Sequence, residues 1–170
     1  MGRIPAADGS SDLRWQSGDR HAGPVFEIEA WIPSEIKAVS PLLDRLMRLI
    51  EGSHCVYGEE PSVELALAEA LNNAVVHGNH KVRQKLVHVL CRCEWGNGIS
   101  VVVKDQGQGF DPNAVPDPTA PENIGVDHGR GIWLMKTMMD EVSFECGGTE
   151  VRMRKAPKRQ PGTDCEGPTK

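Results

Sequence analysis

Residues 86–104 read LVHVLCRCEWGNGISVVVK, and this segment restricts the fold more than any other. In its first run Val87, Val89, Cys91 and Cys93 share one face, while His88, Leu90, Arg92 and Glu94 share the other, the period-two pattern of a strand. Gly96-Asn97-Gly98 supplies residues that accept positive φ, and Ile99 to Lys104 resumes as an apolar strand. A connection this short joins antiparallel neighbours, whereas parallel strands need a crossover of about a dozen residues or more. The segment is therefore expected to be an antiparallel hairpin, which argues against a doubly wound parallel sheet.

The flanking elements agree with that restriction. Val25 to Ile32 places Phe26, Ile28 and Ala30 against Glu27 and Glu29, as a strand with one wet face does. Ser34 suits one helix cap and Ser40 a second, with Pro41 at a first helical position. Leu42, Leu43, Leu46, Leu49 and Ile50 then recur at helical spacing and are expected in the core. Ser62 is the expected cap of the helix VELALAEALNNAVVHG, with Glu64 in its first turn and Gly78 at its end. GRGIWLMKTMMDE reads as a third helix with Ile132, Leu134, Met135 and Met139 facing inward, and VSFEC-GG-TEVRMRK as a closing hairpin. Hairpin-paired strands with helices between the pairs predict an α+β fold, a two-layer α/β sandwich whose mostly antiparallel, mixed sheet is covered on one face by helices.

At 170 residues the chain suits one domain with an adequate core. That domain is expected over residues 25–155. MGRIPAADGSSDLRWQSGDRHAGP (1–24) and APKRQPGTDCEGPTK (156–170) are polar, rich in Gly, Ser or Pro, and without periodicity, so both read as flexible tails. With 39% apolar and 25% charged residues, and neither a signal-peptide centre nor an uninterrupted apolar stretch of about 18 to 20 residues, the chain reads as a cytoplasmic protein without membrane contact. Five cysteines is an odd number, and a chain of this size does not depend on staples, so free thiols are expected. Residues 25–155 carry 13 Lys and Arg against 19 Asp and Glu. An acidic domain with no basic stripe lacks the footprint of phosphate-backbone binding, so direct contact with nucleic acid is not expected.

Three places break the rules of the elements that carry them. Glu69, Asn73 and His77 follow at i, i+4 and i+8 on one helical stripe, and asparagine is a poor choice inside a helix. Spacing alone suits either a solvated face or an oxygen ligand set, turned into a cleft, for a hard cation such as Mg²⁺. Asp105 ends an apolar strand and leads into Gly107-Gln108-Gly109. That arrangement lets backbone approach a ligand while a carboxylate accepts a hydrogen bond, although a plain strand-to-loop turn has the same signature. Pro112 stands where a Rossmann pattern needs its third glycine, and no Gly-Lys-Ser/Thr of a Walker loop occurs. His128-Gly129-Arg130-Gly131 opens the third helix, and glycine-rich backbone at a helix N-terminus suits phosphate, with Arg130 adding a charge.

Taken together, the three segments resemble the GHKL ATPase superfamily over about residues 25–155. ELALAEALNNAVVHG is similar to its N box, DQGQGFDP to its G1 box, and GRGIWLMKTMMDEV with the later GGTEVRMRK to its G2 box and closing hairpin. Within that superfamily the likeness is to small bacterial anti-sigma factors of the RsbW- and SpoIIAB-like serine/threonine kinase type. The resemblance implies the Bergerat fold, ATP with Mg²⁺, and phosphorylation of a serine on a STAS-domain anti-anti-sigma protein, which controls release of a sigma factor. It places Asn73 as the Mg²⁺ ligand, Glu69 as general base and Asp105 as acceptor from the adenine amino group. Gly107 and Gly109 fall on the G1 glycines, Gly129, Arg130 and Gly131 on the loop around the phosphates, and Thr149 near the adenine side. His77 also falls in the N box, where a structural role suits it better. Residues 111–128 become an expected ATP lid. A separate phosphoacceptor helix pair or a transducer domain does not fit in the chain, so a stand-alone domain is expected, and the family's habit of pairing implies a homodimer. A non-catalytic module that binds ATP and sequesters a partner is the alternative implied function.

Overall fold

Residues 86–104 form the expected hairpin, and it lies at the centre of the sheet. The computed structural model describes residues 2–3, 14–16, 24–115, 118 and 129–157. Strand β1 (Gly2–Arg3), β2 (Arg14–Gln16) and β3 (Pro24–Pro33) precede helix α1 (Ile36–Ser53) and helix α2 (Glu60–Asn73), which widens into a π turn over Ala74–Gly78. Strands β4 (Leu86–Glu94) and β5 (Gly98–Lys104) follow, then α3 (Arg130–Met138), β6 (Glu141–Glu145) and β7 (Glu150–Lys155). The sheet order is β1-β2-β3-β4-β5-β7-β6. Every pairing is antiparallel, so the mixed component of the expected sheet is corrected. The last connection of the domain is a hairpin, and it brings β7 rather than β6 against β5. Within the expected tail over 1–24, β1 pairs with β2 and β2 with β3, and strands of two and three residues carry no periodic signal. The rest of that segment, and the C-terminal tail beyond residue 157, lie outside the described residues.

The alternation read in β4 decides the layers. Val87, Val89, Cys91 and Cys93 are buried under the helices, together with Phe26, Ile28, Ala30 and Ile32 of β3 and Val101 and Val103 of β5. Leu42, Leu46 and Ile50 of α1, Val63, Leu67 and Leu71 of α2, and Met135 beside α3's end residue Met139 complete this core. Each large side chain so buried contributes about 1.5–3 kcal/mol relative to exposure. The opposite face of the sheet is open and laced with charge: Trp31 stacks on His88 with ring centroids 4.8 Å apart, His88 meets Glu29 at 2.9 Å, and Arg154 meets Glu141 at 2.9 Å.

Several local expectations change. Helix α1 is one helix with Pro41 inside it, because burial of its apolar stripe outweighs the single backbone bond that proline removes. Its stripe is narrower than the sequence suggests, with Leu49 40% exposed. Ser34 is fully buried and caps nothing; its hydroxyl donates to the Lys85 carbonyl at 2.9 Å. Helix α2 begins before Ser62, whose hydroxyl donates to Glu59 at 3.1 Å. Cys55 and Cys93 form a disulfide across 38 residues of sequence, which corrects the expectation of free thiols, while Cys91 and Cys146 remain free. An odd total says nothing about two cysteines that folding brings together at one end of the core. Among the described residues, no helix is long and apolar enough to cross a membrane.

Candidate functional site

Sheet topology brings the three irregular segments to one end of the domain. Asp105 follows the last residue of β5, and β7, beside β5, begins just after Thr149; the Asp105 N–H donates to the Thr149 carbonyl at 2.9 Å. Helices α2 and α3 cross above that edge. Between them lies a cavity of about 680 Å³ lined by Glu69, Asn73, His77, Asp105, Gly109, Gly129, Arg130, Gly131 and Thr149, among others. Its size suits a nucleotide-sized organic ligand. Of the residues expected in the site, Gly107 alone does not line the cavity.

The Asp105 end is built by close backbone approach. A methyl group on Gly78 would stand 2.3–2.7 Å from the three carboxyl atoms of Asp105. One on Gly107 would stand 2.2 Å from the Gly78 carbonyl oxygen. Gly107 therefore acts from behind: its N–H donates to Asp105 Oδ1 at 2.7 Å and orients the carboxylate. Burial raises the Asp105 pKa above the ordinary aspartate value, opposed by the Gly107 N–H and by the positive charges of Lys85 and His80. Gly109, at φ +74°, and Gly148, at φ +89°, let the loop after β5 lie against the β6–β7 turn. There the Phe110 N–H donates to the Gly147 carbonyl at 3.0 Å. The Thr149 hydroxyl donates to the Cys146 carbonyl at 3.0 Å, and Thr149 lines the cavity.

The opposite end is built by α2 and α3. Glu69 and Asn73 lie one turn apart on α2, half-buried, and the first turn of α3 rests directly on them. A methyl on Gly131 would come within 2.7 Å of Glu69 Oε2 and 3.1 Å of Asn73 Nδ2. Gly129 takes φ +93° as the residue before α3. The first intrahelical bond, from the Trp133 N–H to the Gly129 carbonyl, spans 2.9 Å. The N–H groups of Arg130, Gly131 and Ile132 thus precede that bond, where a helix presents unpaired donors and the positive end of its dipole. Arg130 is exposed at the mouth. Beyond Asn73 the helix widens, so that the Asn79 N–H reaches back to the Ala74 carbonyl at 2.8 Å. His77, within this π turn, also lines the cavity. Such single π turns often accompany functional sites.

The arrangement pairs a carboxylate acceptor at one end with oxygen donors and helix-end N–H groups at the other. A purine amino group fits the first, a polyphosphate the second. The oxygens of Glu69 and Asn73 suit a hard divalent cation, and the space kept open by the missing Gly131 side chain adjoins them. Cys91 and Cys93 turn to the core while His88 lies on the opposite face, so those three cannot share a metal. Of the expected lid, only residues 111–115 and 118 are described; the remainder of 111–128 lies outside the described residues.

Three contributors escape a reading of the sequence. Gly78 signals only a helix end, and Gly148 only a turn. Asn79 is fully buried and tied to the residue after Asp105, yet nothing in its sequence context distinguishes it from a surface loop asparagine.

Comparison with known proteins agrees with this geometry. Residues 32–155 match the family model of the histidine kinase-like ATPase domain. The chain is 28% identical to the serine-protein kinase RsbW of Staphylococcus epidermidis over 140 residues, covering 78% of this chain and 88% of that protein. It is 30% identical to the serine-protein kinase RsbW of Bacillus velezensis over 138 residues, 77% of this chain and 86% of the relative. With the anti-sigma F factor of Clostridium novyi it shares 30% identity over 102 residues, 57% of this chain and 71% of the relative. The match over all three helices and strands β4 to β7, from the end of β3 to the end of β7, places this chain in the histidine kinase-like ATPase domain family, membership of which implies ATP binding.

Proposed function

We propose that this protein is an anti-sigma factor and serine kinase that transfers the γ-phosphoryl group of ATP to a serine of a STAS-domain anti-anti-sigma protein, and thereby controls release of a sigma factor. One observation carries the reading: the first turn of α3 lies against Glu69 and Asn73, which brings a carboxylate, a carboxamide and the N-terminal end of a helix together in the wall of the cavity that Asp105 also lines. Relatives named serine-protein kinase and anti-sigma F factor support the same assignment.

In this reading Asp105 accepts from the adenine amino group, and Thr149 holds the Asp105 backbone while its side chain borders the base. Gly109, Gly129, Arg130 and Gly131 surround the phosphates with backbone and one guanidinium. Asn73 would hold Mg²⁺, which would supply neutralisation of phosphate charge. The acceptor serine enters opposite the leaving ADP. Glu69 takes its hydroxyl proton as the serine oxygen bonds to the γ-phosphorus and the bond to the bridging oxygen of ADP breaks. The proposed domain spans 25–155 with the terminal segments outside it, acts in the cytoplasm and pairs as a homodimer.

The test compares wild type with Glu69→Gln, which keeps shape but removes the base. Fluorescent-nucleotide titration should show nearly unchanged ATP binding, and radiolabel transfer to STAS proteins of the same organism should slow by roughly 10²–10⁴-fold. A wild type that binds ATP and a sigma factor yet labels no STAS protein is instead a non-catalytic sequestering module.

A further inference from the structure

The carboxamide of Asn79 joins four elements and ends on the peptide that carries Asp105. Asn79 is fully buried. Its Oδ1 accepts the Gln106 N–H at 2.8 Å, and its Nδ2 donates to Ser34 Oγ at 2.7 Å and to the Leu86 carbonyl at 3.1 Å. Ser34 is itself fixed to the Lys85 carbonyl, and the Leu86 N–H donates to Gln106 Oε1 at 2.8 Å. The end of β3, the π turn, the start of β4 and the end of β5 thus meet in one hydrogen-bonded knot.

We propose that Asn79 is a positioning residue for base recognition, setting the direction of the Asp105 carboxylate through the Gln106 amide. The proposal rests on the reading that Asp105 recognises adenine. The Asp105 backbone is held from both sides. Its own N–H is fixed to the Thr149 carbonyl, and the following N–H is fixed to Asn79. Gly78, the residue immediately before Asn79, abuts the carboxyl group. Without the Asn79 acceptor the Gln106 N–H loses its partner, and the Asp105 carboxylate relies on the Thr149 carbonyl, the Gly107 N–H and the Leu86 bond to the Gln106 side chain, which together fix its direction less closely. A buried asparagine that served stability alone would lower the melting temperature when removed and leave base preference intact, because base preference depends only on where Asp105 points.

The experiment measures the ratio of GTP to ATP dissociation constants, with Mg²⁺, for wild type, Asn79→Ala, Asn79→Asp, Ser34→Ala and Asp105→Asn. All measurements are made well below each variant's melting midpoint. Loss of one net hydrogen bond corresponds to roughly a fivefold effect, so Asn79→Ala is expected to reduce the preference for ATP by about five- to tenfold. Asn79→Asp keeps an acceptor oxygen for Gln106 N–H and is expected to retain the preference. Ser34→Ala, which removes a partner of Asn79 but leaves Gln106 untouched, is expected to lose stability and keep the preference. Should Asn79→Ala not fold, Asn79→Ser, whose hydroxyl is too short to reach the Gln106 amide, takes its place under the same criterion. An unchanged ratio in the Asn79 variant beside a collapsed ratio in Asp105→Asn overturns the positioning role alone. An unchanged ratio in Asp105→Asn overturns the adenine reading and the proposal with it.

Discussion

Replacing Gly131 by alanine separates folding from function, because its expected effects on the two have different sizes. Gly131 lies inside α3, where alanine is preferred over glycine by about 1 kcal/mol. The added methyl would stand 2.7 Å from Glu69 Oε2 and 3.1 Å from Asn73 Nδ2. Both atoms are the far ends of side chains, so they retreat by a few tenths of an ångström and no backbone need move. Pushing two side chains off their rotamers costs on the order of 0.5–1.5 kcal/mol each. The helix gain offsets much of that, leaving a net cost of at most about 2 kcal/mol, and the melting temperature is expected to fall by no more than about 8 °C. The displaced groups are those proposed to hold Mg²⁺ and to face the phosphates. Losing one hydrogen bond or ligand interaction of a charged group corresponds to about 1.5–3 kcal/mol, so ATP·Mg²⁺ affinity is expected to fall by roughly 10- to 100-fold. Thermal unfolding beside calorimetric titration measures both quantities on one preparation. Unchanged affinity would refute the claim that the α3 terminus and the Glu69–Asn73 stripe form one phosphate-facing unit.

Three further substitutions test the other end of the cavity. Asp105→Asn is expected to weaken ATP binding yet stabilise the unliganded protein at neutral pH. Burial raises the carboxyl pKa above its ordinary 3.8, so the charged form is disfavoured by folding. The resulting cost is absent below that ordinary value and develops as pH rises through the higher folded-state value. Melting curves should therefore converge for the two proteins in acid and separate toward neutrality, and a constant gap across that range would contradict the burial argument. Gly109→Ala and Gly148→Ala each combine positive φ with backbone overlap, the added methyl falling 2.0 Å from the Gly147 carbonyl oxygen and 2.3 Å from the Phe110 carbonyl oxygen, respectively. Each is expected to cost about 2 kcal/mol or more, read as a loss of at least about 4 °C in melting temperature; native-like melting would remove the close-approach role of these glycines.

What the sequence made legible was whatever repeats with a period. The alternation of Val87, Val89, Cys91 and Cys93 against His88, Leu90 and Arg92 defined both faces of β4, and Glu69 and Asn73 stood out because polar groups interrupt an apolar helix. Features fixed by single long-range contacts were hidden. Asn79 has no periodic signature and becomes informative only when Ser34, Leu86 and Gln106, at separations of 45, 7 and 27 residues, converge on it. The Cys55–Cys93 pair and the short β1–β2 ladder are invisible for the same reason. The partner of Gly107 was not legible, because a Gly-x-Gly run shows that backbone approaches something closely without showing what. Here one glycine meets the Gly78 carbonyl and the other the Gly147 carbonyl, and both serve the placement of loop and carboxylate.

The charge of the chain adds a last constraint on how such a site handles a polyanion. The net charge is −5, and among the described residues the cavity wall carries Glu69, Asp105 and Asp111 against one arginine, Arg130. Attraction by net protein charge therefore does not bring a triphosphate to this cavity, unlike sites lined by lysine and arginine. Two local sources remain. The first turn of α3 contributes backbone N–H groups and the positive end of a dipole, worth about 0.3–1 kcal/mol at an exposed surface and more when partly buried. A divalent cation on Asn73, as proposed, would supply the other by offsetting phosphate charge. Close approach accounts for glycine at position 131: the first carbon of any side chain there would stand 2.7 Å from Glu69 Oε2 and 3.1 Å from Asn73 Nδ2, so only bare backbone lets the first turn of α3 rest on that stripe without displacing it.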